Sequence, residues 1–204
     1  MSDKLKNILE WIECIVIAIV LALLIRYYVG TPTVVQMDSM YPTLKQGERL
    51  VLNRIPRTRK QLPKRGDIIT FEQPSVTYIG EDKVDLSNPV AIYSNKSKGI
   101  FEQLKNSINI FSETSFIKRV IGLPGDHIEI KNERVYVNGD PIKENYLDAG
   151  TVTDSASGLF TDIVVPDGYV YVLGDNREVS CDSRLFGCIP VEKIEGKAVF
   201  RFWP

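Results

Sequence analysis

The N-terminal part of the chain carries one long apolar run. From Trp11 to Val29 the sequence reads WIECIVIAIVLALLIRYYV, and its charged residues, Glu13 and Arg26, stand near the two ends. As a helix, this run of roughly 19 residues spans about 28 Å, close to the hydrocarbon thickness of a bilayer. The pattern therefore predicts a transmembrane helix over residues 11–29, after a short segment 1–10.

The residues that follow the apolar core indicate an anchor rather than a cleaved leader. A cleaved signal sequence has small residues after its core, whereas Arg-Tyr-Tyr stands here at 26–28. A buried helix of a soluble protein is the alternative, but no polar face interrupts the run between Cys14 and Ile25. The favoured interpretation is an uncleaved signal anchor in a cell membrane, crossing it once.

The flanking charges give a weaker indication of orientation. Lys4 and Lys6 precede the helix and favour a cytoplasmic N-terminus, while Arg26 on the far side argues mildly for the opposite orientation. We expect residues 30–204 to form an extracytoplasmic domain.

After Gly30 the helical period gives way to short β-type runs separated by Gly, Pro, Asn and Asp. The segments 123–126 and 138–140 are typical of turns. Because no long helical pattern alternates with the strands, we expect a mainly β fold with antiparallel sheets rather than a parallel α/β fold. Strands are predicted near Arg49–Leu52, Asp67–Glu72, Phe116–Ile121, His127–Lys131, Arg134–Asn138, Tyr169–Leu173 and Lys197–Phe202.

The polar segment at about 73–115 interrupts this pattern and is interpreted as an insertion. Apolar residues within it are spaced roughly along one helical face, which predicts a short amphipathic helix. That face would pack on the β core or, alternatively, contact a membrane. Its apolar residues are Ile100, Phe101, Leu104, Ile108 and Phe111.

Composition excludes several functional classes. Lys and Arg total 25 against 26 for Asp and Glu, so there is no electrostatic case for nucleic-acid binding. The single histidine, His127, rules out a zinc site built on several histidines. Cys181 and Cys188 could form a small-loop disulfide, but free thiols are the default expectation.

Two segments carry the residues of a candidate nucleophile and base. Ser39 precedes Tyr41-Pro42, and alone it is a serine in a turn. In a strand, Lys118 shares one face with Phe116 and Val120, so burial between them would lower its pKa towards neutrality. The alternative for Lys118 is a stem lying on apolar surface with its ammonium group in water.

A third segment, from Leu173 to Arg184, follows a predicted strand and is dense in hydrogen-bonding side chains. Four of its charged residues are spaced to form an ion-pair network that would lock the loop, and a solvated turn is the alternative. These residues are Asp175, Arg177, Asp182 and Arg184.

In this order, behind a signal anchor, these segments resemble the bacterial type I signal peptidases. The matching runs are Ser-Met-Tyr-Pro-Thr-Leu at 39–44, Lys-Arg-Val-Ile-Gly-Leu-Pro-Gly-Asp at 118–126 and Gly-Asp-Asn-Arg-x-x-Ser-x-Asp-Ser-Arg at 174–184. Gly-Asp-Ile-Ile at 66–69 also resembles a family strand. The insertion lies largely outside the resemblance.

The resemblance implies a membrane-bound serine endopeptidase that removes signal peptides from preproteins through an acyl-enzyme. By it, Ser39 is the nucleophile, Lys118 is the neutral general base, and Ser180 orients the lysine. Asp175, Arg177, Asp182 and Arg184 match residues that shape the site. Similar enzymes need no metal or cofactor, and the implied partners are preprotein signal peptides and the lipid bilayer.

One departure and two alternatives accompany the resemblance. Many relatives carry a small or hydroxyl residue two places before the nucleophile, and this chain has Met37 there, so the second oxyanion donor is unassigned. The chain could instead be an inactive relative that serves as a membrane-bound binding or assembly factor. A self-cleaving repressor-type Ser/Lys protease is disfavoured by the anchor.

Overall fold

The apolar run forms a helix, α1, that extends from Asp3 to Tyr28. The computed structural model describes residues 3–59, 61–75, 87–93, 115–155 and 158–203. Within these ranges one helix is long and apolar enough to cross a membrane: Lys6–Tyr28 has a mean hydropathy of 2.7, and none of its apolar window is covered by the rest of the protein. The helix begins earlier than predicted because Leu, Lys and Glu, which dominate residues 4–10, are good helix formers.

The remainder of the described chain is mainly antiparallel β structure, as expected. All seven predicted strands form, with ends that differ by a few residues, and four further strands (β1, β7, β8 and β10) were not predicted. The strands are β1 Gly30–Val34, β2 Arg49–Asn53, β3 Ile68–Glu72, β4 Ser115–Gly122, β5 His127–Lys131, β6 Arg134–Val137, β7 Asp140–Pro141, β8 Asp162–Val164, β9 Tyr169–Leu173, β10 Ile189–Pro190 and β11 Ile194–Trp203.

The strands form two sheets. The larger sheet has the order β1-β2-β11-β3-β4-β9-β10, and the smaller one has the order β7-β6-β5-β8. All of the pairings between named strands are antiparallel. The long last strand, β11, pairs with β2 on one side and β3 on the other, and therefore joins the N-terminal β1–β2 pair to the rest of the sheet.

The main apolar core lies where the two sheets meet. Ile121 at the end of β4, Ile128 of β5, Val137 of β6 and Leu173 of β9 belong to one buried cluster. The predicted turn after β6 also forms: Asn138 and Gly139 have φ angles of 55° and 87°, a left-handed conformation that Asn and Gly tolerate best. This core fixes β4 and β9, the two central strands that lead into the candidate site.

Four short helical segments complete the described fold. Helix α2, Ile55–Thr58, follows β2, and a helical turn over Ser183–Phe186 overlaps the end of the third motif. Single 3₁₀ turns occur at Asp38–Met40 and Val191–Lys193. The amphipathic helix predicted around Ile100–Phe111 lies in the range 94–114, outside the described residues.

Candidate active site

Ser39 lies in a single helical turn, Asp38–Met40, that follows the edge strand β1. The turn is closed by the Tyr41 N–H, which donates to the Asp38 carbonyl at 3.0 Å. The next side chain, Met40, is fully buried in a small cluster with Leu44 and Leu50. Burial of Met40 therefore holds the turn against the sheet and fixes the position of Ser39.

Lys118 lies in the middle of β4, between β3 and β9. Its neighbours on the same face, Phe116 and Val120, are buried as the alternation predicts, and Lys118 itself is only 1% exposed. The Lys118 Nζ donates to Ser39 Oγ at 2.7 Å and to the Ile117 carbonyl at 3.1 Å. Two residues that are 79 positions apart are thus in direct contact in a buried site.

Burial lowers the pKa of Lys118 to about 8, because desolvation penalises the ammonium form. The negative charges of Asp182 and Asp175 act in the opposite direction and limit the drop. A lysine with a pKa of about 8 is neutral in about one tenth of the molecules at pH 7 and in about half at pH 8, and a neutral amine is able to accept a proton.

The loop after β9 holds the backbone of the nucleophile turn. The Asn176 N–H donates to the Ser39 carbonyl at 3.1 Å, and the Asn176 side-chain amide donates to the Asp38 carbonyl at 3.2 Å. Asn176 thus binds two consecutive carbonyls of the turn. This contact connects the first and third sequence motifs directly.

Within the third motif, Asp182 and Arg184 form the predicted ion pair. The Arg184 Nε donates to Asp182 Oδ1 at 2.8 Å, and both side chains are buried. Asp182 also accepts from the Gly174 N–H at 3.0 Å, so the carboxylate connects both ends of the loop. Arg184 donates in addition to the Arg177 carbonyl at 2.6 Å.

The other half of the predicted loop network is wrong. Asp175 does not pair within the loop but receives two hydrogen bonds from Arg119 of β4, at 2.8 and 2.6 Å. Arg177 pairs with Glu144 instead, through a buried ion pair. The reason is topological: β4 lies beside β9, so a buried arginine on β4 is closer to Asp175 than any arginine of the loop. The loop is therefore tied to the surrounding sheets as well as to itself.

Ser180, expected to orient the lysine, is buried, but its hydroxyl has no hydrogen-bond partner in the part of the chain that the structure describes. The predicted contact with Lys118 is therefore not formed in this structure. The Ser180 side chain packs instead against Gly174. Its orienting role remains a prediction.

Residue-level reasoning missed several side chains that support the site. Arg119 was not identified as the partner of Asp175, and Glu144 was not singled out at all. Tyr146 packs its ring 3.8 Å from the Arg119 guanidinium. An unpaired arginine beside the lysine of the second motif was the available signal for Arg119, since a buried arginine needs an acidic partner.

Gly174 gives a specific prediction. A Cβ added there would lie 2.1 Å from Ser180 Oγ and 2.5 Å from the Ser39 carbonyl oxygen. Because the Ser39 backbone cannot rotate away, Gly174→Ala is expected to displace the nucleophile and lower kcat about 100-fold, the typical cost of a misplacement of about 1 Å. The measurement is steady-state cleavage of a peptide substrate, with folding followed by circular dichroism.

The matched control for Gly174 is Gly168→Ala. A Cβ at Gly168 meets nothing within 4 Å, although its φ of 80° makes the substitution mildly strained. We expect Gly168→Ala to lower stability slightly and leave kcat unchanged. A folded Gly174→Ala protein with the kcat of the unchanged chain would contradict this account of the packing.

A groove of about 350 Å³ lies near the nucleophile turn, but neither Ser39 nor Lys118 lines it. It is bordered by the edge strand β1 and by the start of β4. Met37 and Ile117, the residues next to Asp38 and Lys118, contribute to its wall. Met37 is 51% exposed, so its side chain extends into accessible space. Because Ile117 alternates with Lys118 along β4, this groove lies on the opposite face of the strand from the Lys118 side chain.

The remaining candidate groups lie elsewhere or form no site. His127 contacts Asp162 at 2.7 Å on the surface. Cys181 and Cys188 are free thiols, as expected by default. No group of three or more His, Cys, Asp or Glu residues able to hold a metal ion occurs in the described ranges.

Comparison with known sequences decides the family. Residues 8–203 match the family profile described as signal peptidase, peptidase S26. The chain is a member of the peptidase S26 family. The match covers nearly the whole chain, including most of α1 and all the described strands, so the resemblance inferred from the sequence motifs is confirmed.

Curated proteins that are similar to this chain are named as signal peptidases. A probable signal peptidase I-1 from Synechocystis sp. is 36% identical over 195 residues, covering 96% of this chain and 82% of the relative. Signal peptidase I S of Bacillus subtilis is 36% identical, covering 99% of this chain and 92% of the relative. Signal peptidase IB of Staphylococcus aureus is 35% identical, covering 98% and 91%. Membership in S26 makes the chain a serine peptidase, and α1 fits a membrane protein.

A solved structure also matches. The signal peptidase I of Enterococcus faecalis V583 aligns with a TM-score of 0.42 and 24% identity, covering 68% of this chain and 98% of the other.

Proposed function

We propose that this S26 protein is a membrane-bound endopeptidase that cleaves N-terminal signal peptides from preproteins with a Ser39–Lys118 dyad. The observation that carries the proposal is the 2.7 Å hydrogen bond between Lys118 Nζ and Ser39 Oγ in a buried site. Serine becomes an effective nucleophile when an adjacent base removes its proton, and a lysine serves as that base when burial lowers its pKa.

The reaction follows from this contact. Neutral Lys118 accepts the Ser39 hydroxyl proton while Ser39 Oγ attacks the scissile carbonyl carbon. The tetrahedral intermediate collapses when the Lys118 ammonium gives its proton to the leaving amine, which frees the mature protein. Lys118 then takes a proton from water while the water oxygen attacks the acyl carbon. As the bond between the acyl carbon and Ser39 Oγ breaks, Lys118 returns that proton to Ser39 Oγ, and the signal peptide leaves with a carboxyl end.

The third motif would support this chemistry without touching the substrate. Asp182 and Arg184 shape the loop, and Asp175 holds Arg119, the neighbour of the base in β4. Arg177 donates to the Gly174 carbonyl at 3.0 Å, behind the Ser39 backbone. We assign Ser180 the role of orienting Lys118, since its hydroxyl is buried and has no other hydrogen-bond partner among the described residues.

The substrate would lie extended along the free edge of β1, the strand that leads into the Ser39 turn. This strand pairs with β2 on one side only, so its other edge offers backbone N–H and C=O groups to a peptide. Shallow apolar pockets beside the peptide backbone would favour small side chains near the cut. The Ser39 N–H is one donor for the developing oxyanion. Met37 supplies no side-chain donor, so the second donor comes from another group or a water.

The anchor would keep the site near the bilayer, on the extracytoplasmic side. Nine residues separate Val29 from Ser39, a distance of at most about 33 Å for an extended chain. A cleavage site emerging from the membrane next to its signal helix lies within the same range. The proposed membrane topology thus brings enzyme and scissile bond to the same surface.

The pH dependence of cleavage tests the proposal. The full-length protein in detergent micelles is expected to release a signal peptide from a preprotein, with the new N-terminus identified by mass spectrometry. Because only neutral Lys118 accepts the Ser39 proton, the rate should rise about tenfold per pH unit below a midpoint near pH 8 and level off above it.

The control is His127→Gln, which removes the single histidine of the chain and should leave this profile unchanged. Absence of cleavage would favour the inactive binding or assembly factor. A rate that is flat from pH 6 to 9, or a profile that moves with His127, would contradict Lys118 as the base.

A further inference from the structure

The segment 54–65 contains six Lys and Arg residues and no Asp or Glu, in a chain whose total charge is nearly balanced. It includes α2 and the loop that leads to β3. Several of its cationic side chains, including Arg57, Arg59 and Lys64, are exposed. None of these three forms a salt bridge with the residues that the structure describes. We call residues 54–65 the basic segment.

The basic segment begins directly at the end of the membrane helix. The Arg54 N–H donates to the Val29 carbonyl at 3.0 Å. The Arg57 guanidinium lies 5.6 Å from the centroid of the Tyr27 ring. Tyrosines at the ends of membrane helices lie at the level of the lipid headgroups. These two contacts therefore bring the start of the segment to that level.

Positive charge is concentrated at this junction. Burial lowers the pKa of Arg54, and the nearby charges of Arg57 and Arg26 lower it further, while Glu195 acts in the opposite direction. The Arg54 Nε is buried and has no hydrogen-bond partner within the described residues. Cations held so close together repel each other, and an external anion would relieve that repulsion.

Apolar side chains accompany the cations. Ile55 and Leu62 are exposed, the latter at 55%. Leu62 borders a cavity of about 680 Å³ whose lining includes Ile69 and Ile194. Exposed apolar groups interspersed with Lys and Arg are typical of segments that lie in a membrane interface, where the apolar groups enter the acyl boundary and the cations contact phosphate.

We propose that the basic segment binds the phosphate groups of anionic phospholipids and so fixes the catalytic domain against the membrane surface. The proposal depends on the membrane anchoring described under Proposed function, but not on the Ser39–Lys118 chemistry. A lipid surface fits better than a soluble anion because the contacts with α1 put the cations at headgroup level.

The test compares lipid compositions with the full-length protein in lipid nanodiscs. One set contains phosphatidylcholine alone and the other contains additional phosphatidylglycerol, and hydrogen–deuterium exchange is measured over residues 54–65. We expect exchange to slow at least about fivefold in the anionic discs, since one basic side chain near an anionic surface contributes a factor of that size. High salt should remove the difference.

The variant Arg57→Gln/Arg59→Gln/Lys64→Gln should lose the difference between the two disc types. The matched control, Lys45→Gln/Arg134→Gln/Lys143→Gln, removes three exposed cations from other parts of the surface and should keep it. Equal exchange in both discs, or equal loss in both variants, would overturn the proposal. So would protection by inorganic phosphate in phosphatidylcholine discs, because the segment would then bind the free anion.

The exchange experiment distinguishes failure of the lipid proposal from failure of the proposed protease function. If the protein did not cleave preproteins, the exchange measurement would remain readable, because it requires only insertion into the disc. If the protein did not insert at all, the membrane anchor itself would be contradicted, together with the lipid proposal.

Discussion

Ser39→Ala is expected to abolish preprotein cleavage, with a loss of about 10⁴-fold or more in kcat, while the protein remains folded. Alanine fits the space of a buried serine, and Met40 continues to hold the turn in its apolar cluster. Lys118 keeps its hydrogen bond to the Ile117 carbonyl at 3.1 Å. The loss of activity therefore comes from removal of the nucleophile and not from unfolding, since no other group replaces the hydroxyl.

The measurement for Ser39→Ala is signal-peptide release in detergent, combined with a thermal unfolding curve. Ser155→Ala is the matched control, because Ser155 is exposed and far from the dyad in sequence, and it should retain full activity. Wild-type cleavage by a folded Ser39→Ala protein would contradict the nucleophile assignment. If the chain were a non-catalytic assembly factor, the variant would still perform its task.

Lys118→Met is expected to have two opposite effects: loss of activity and a gain in stability. Methionine has a similar length and is apolar, so it fills the space between Phe116 and Val120 without a base. Removal of the general base should lower kcat by about 10²–10⁴-fold. A lysine whose pKa is about 8 in the folded protein and 10.5 when unfolded destabilises the fold by about 3 kcal/mol below pH 8.

The pH dependence of stability isolates the contribution of the lysine. Because the folded pKa is the lower one, between about pH 8 and 10.5 the unfolded chain binds more protons than the folded protein, so stability rises with pH over that window. The destabilisation is complete below pH 8 and disappears above pH 10.5. Lys118→Met should lack this rise, while Lys143→Met, at an exposed position, should keep it. The same rise in both variants would contradict a buried, pKa-shifted Lys118.

Much of the fold could be predicted because the sequences of the core strands have the local pattern that is typical of β-strands. β4 and β9 are apolar runs that end in turn residues, so their existence follows from local pattern. β1 was missed because Gly-Thr-Pro-Thr-Val lacks an apolar alternation, and it becomes a strand only by pairing with β2. The two-residue strands β7 and β10 likewise depend on their partners.

In the candidate site, too, some contacts could be predicted from the sequence and others could not. The alternation around Lys118 was compatible with burial or with an ammonium group in water, and the structure shows burial. Of the predicted four-residue network in the third motif, the Asp182–Arg184 pair forms. The partners of Asp175 and Arg177 could not be predicted from spacing. Arg119 reaches Asp175 through the pairing of β4 with β9, across 56 residues, and Glu144 reaches Arg177 from the loop after β7, across 33 residues. Long-range ion pairs depend on topology, whereas the sequence displays only neighbours along the chain.

The position of β11 in the large sheet affects the stage of folding at which the Ser39–Lys118 dyad assembles. Ser39 belongs to the β1–β2 part of the large sheet and Lys118 to the β3–β4 part, and β11, residues 194–203, is the strand that lies between these parts. In chain order β11 is the last of the described strands. Until it pairs with both β2 and β3, the two parts of the sheet that carry Ser39 and Lys118 lack the strand that joins them, and the Asn176 hydrogen bonds to the Ser39 turn act without that support. Assembly of the dyad would therefore be coupled to completion of the sheet, and a chain not yet paired at β11 would be a poor protease.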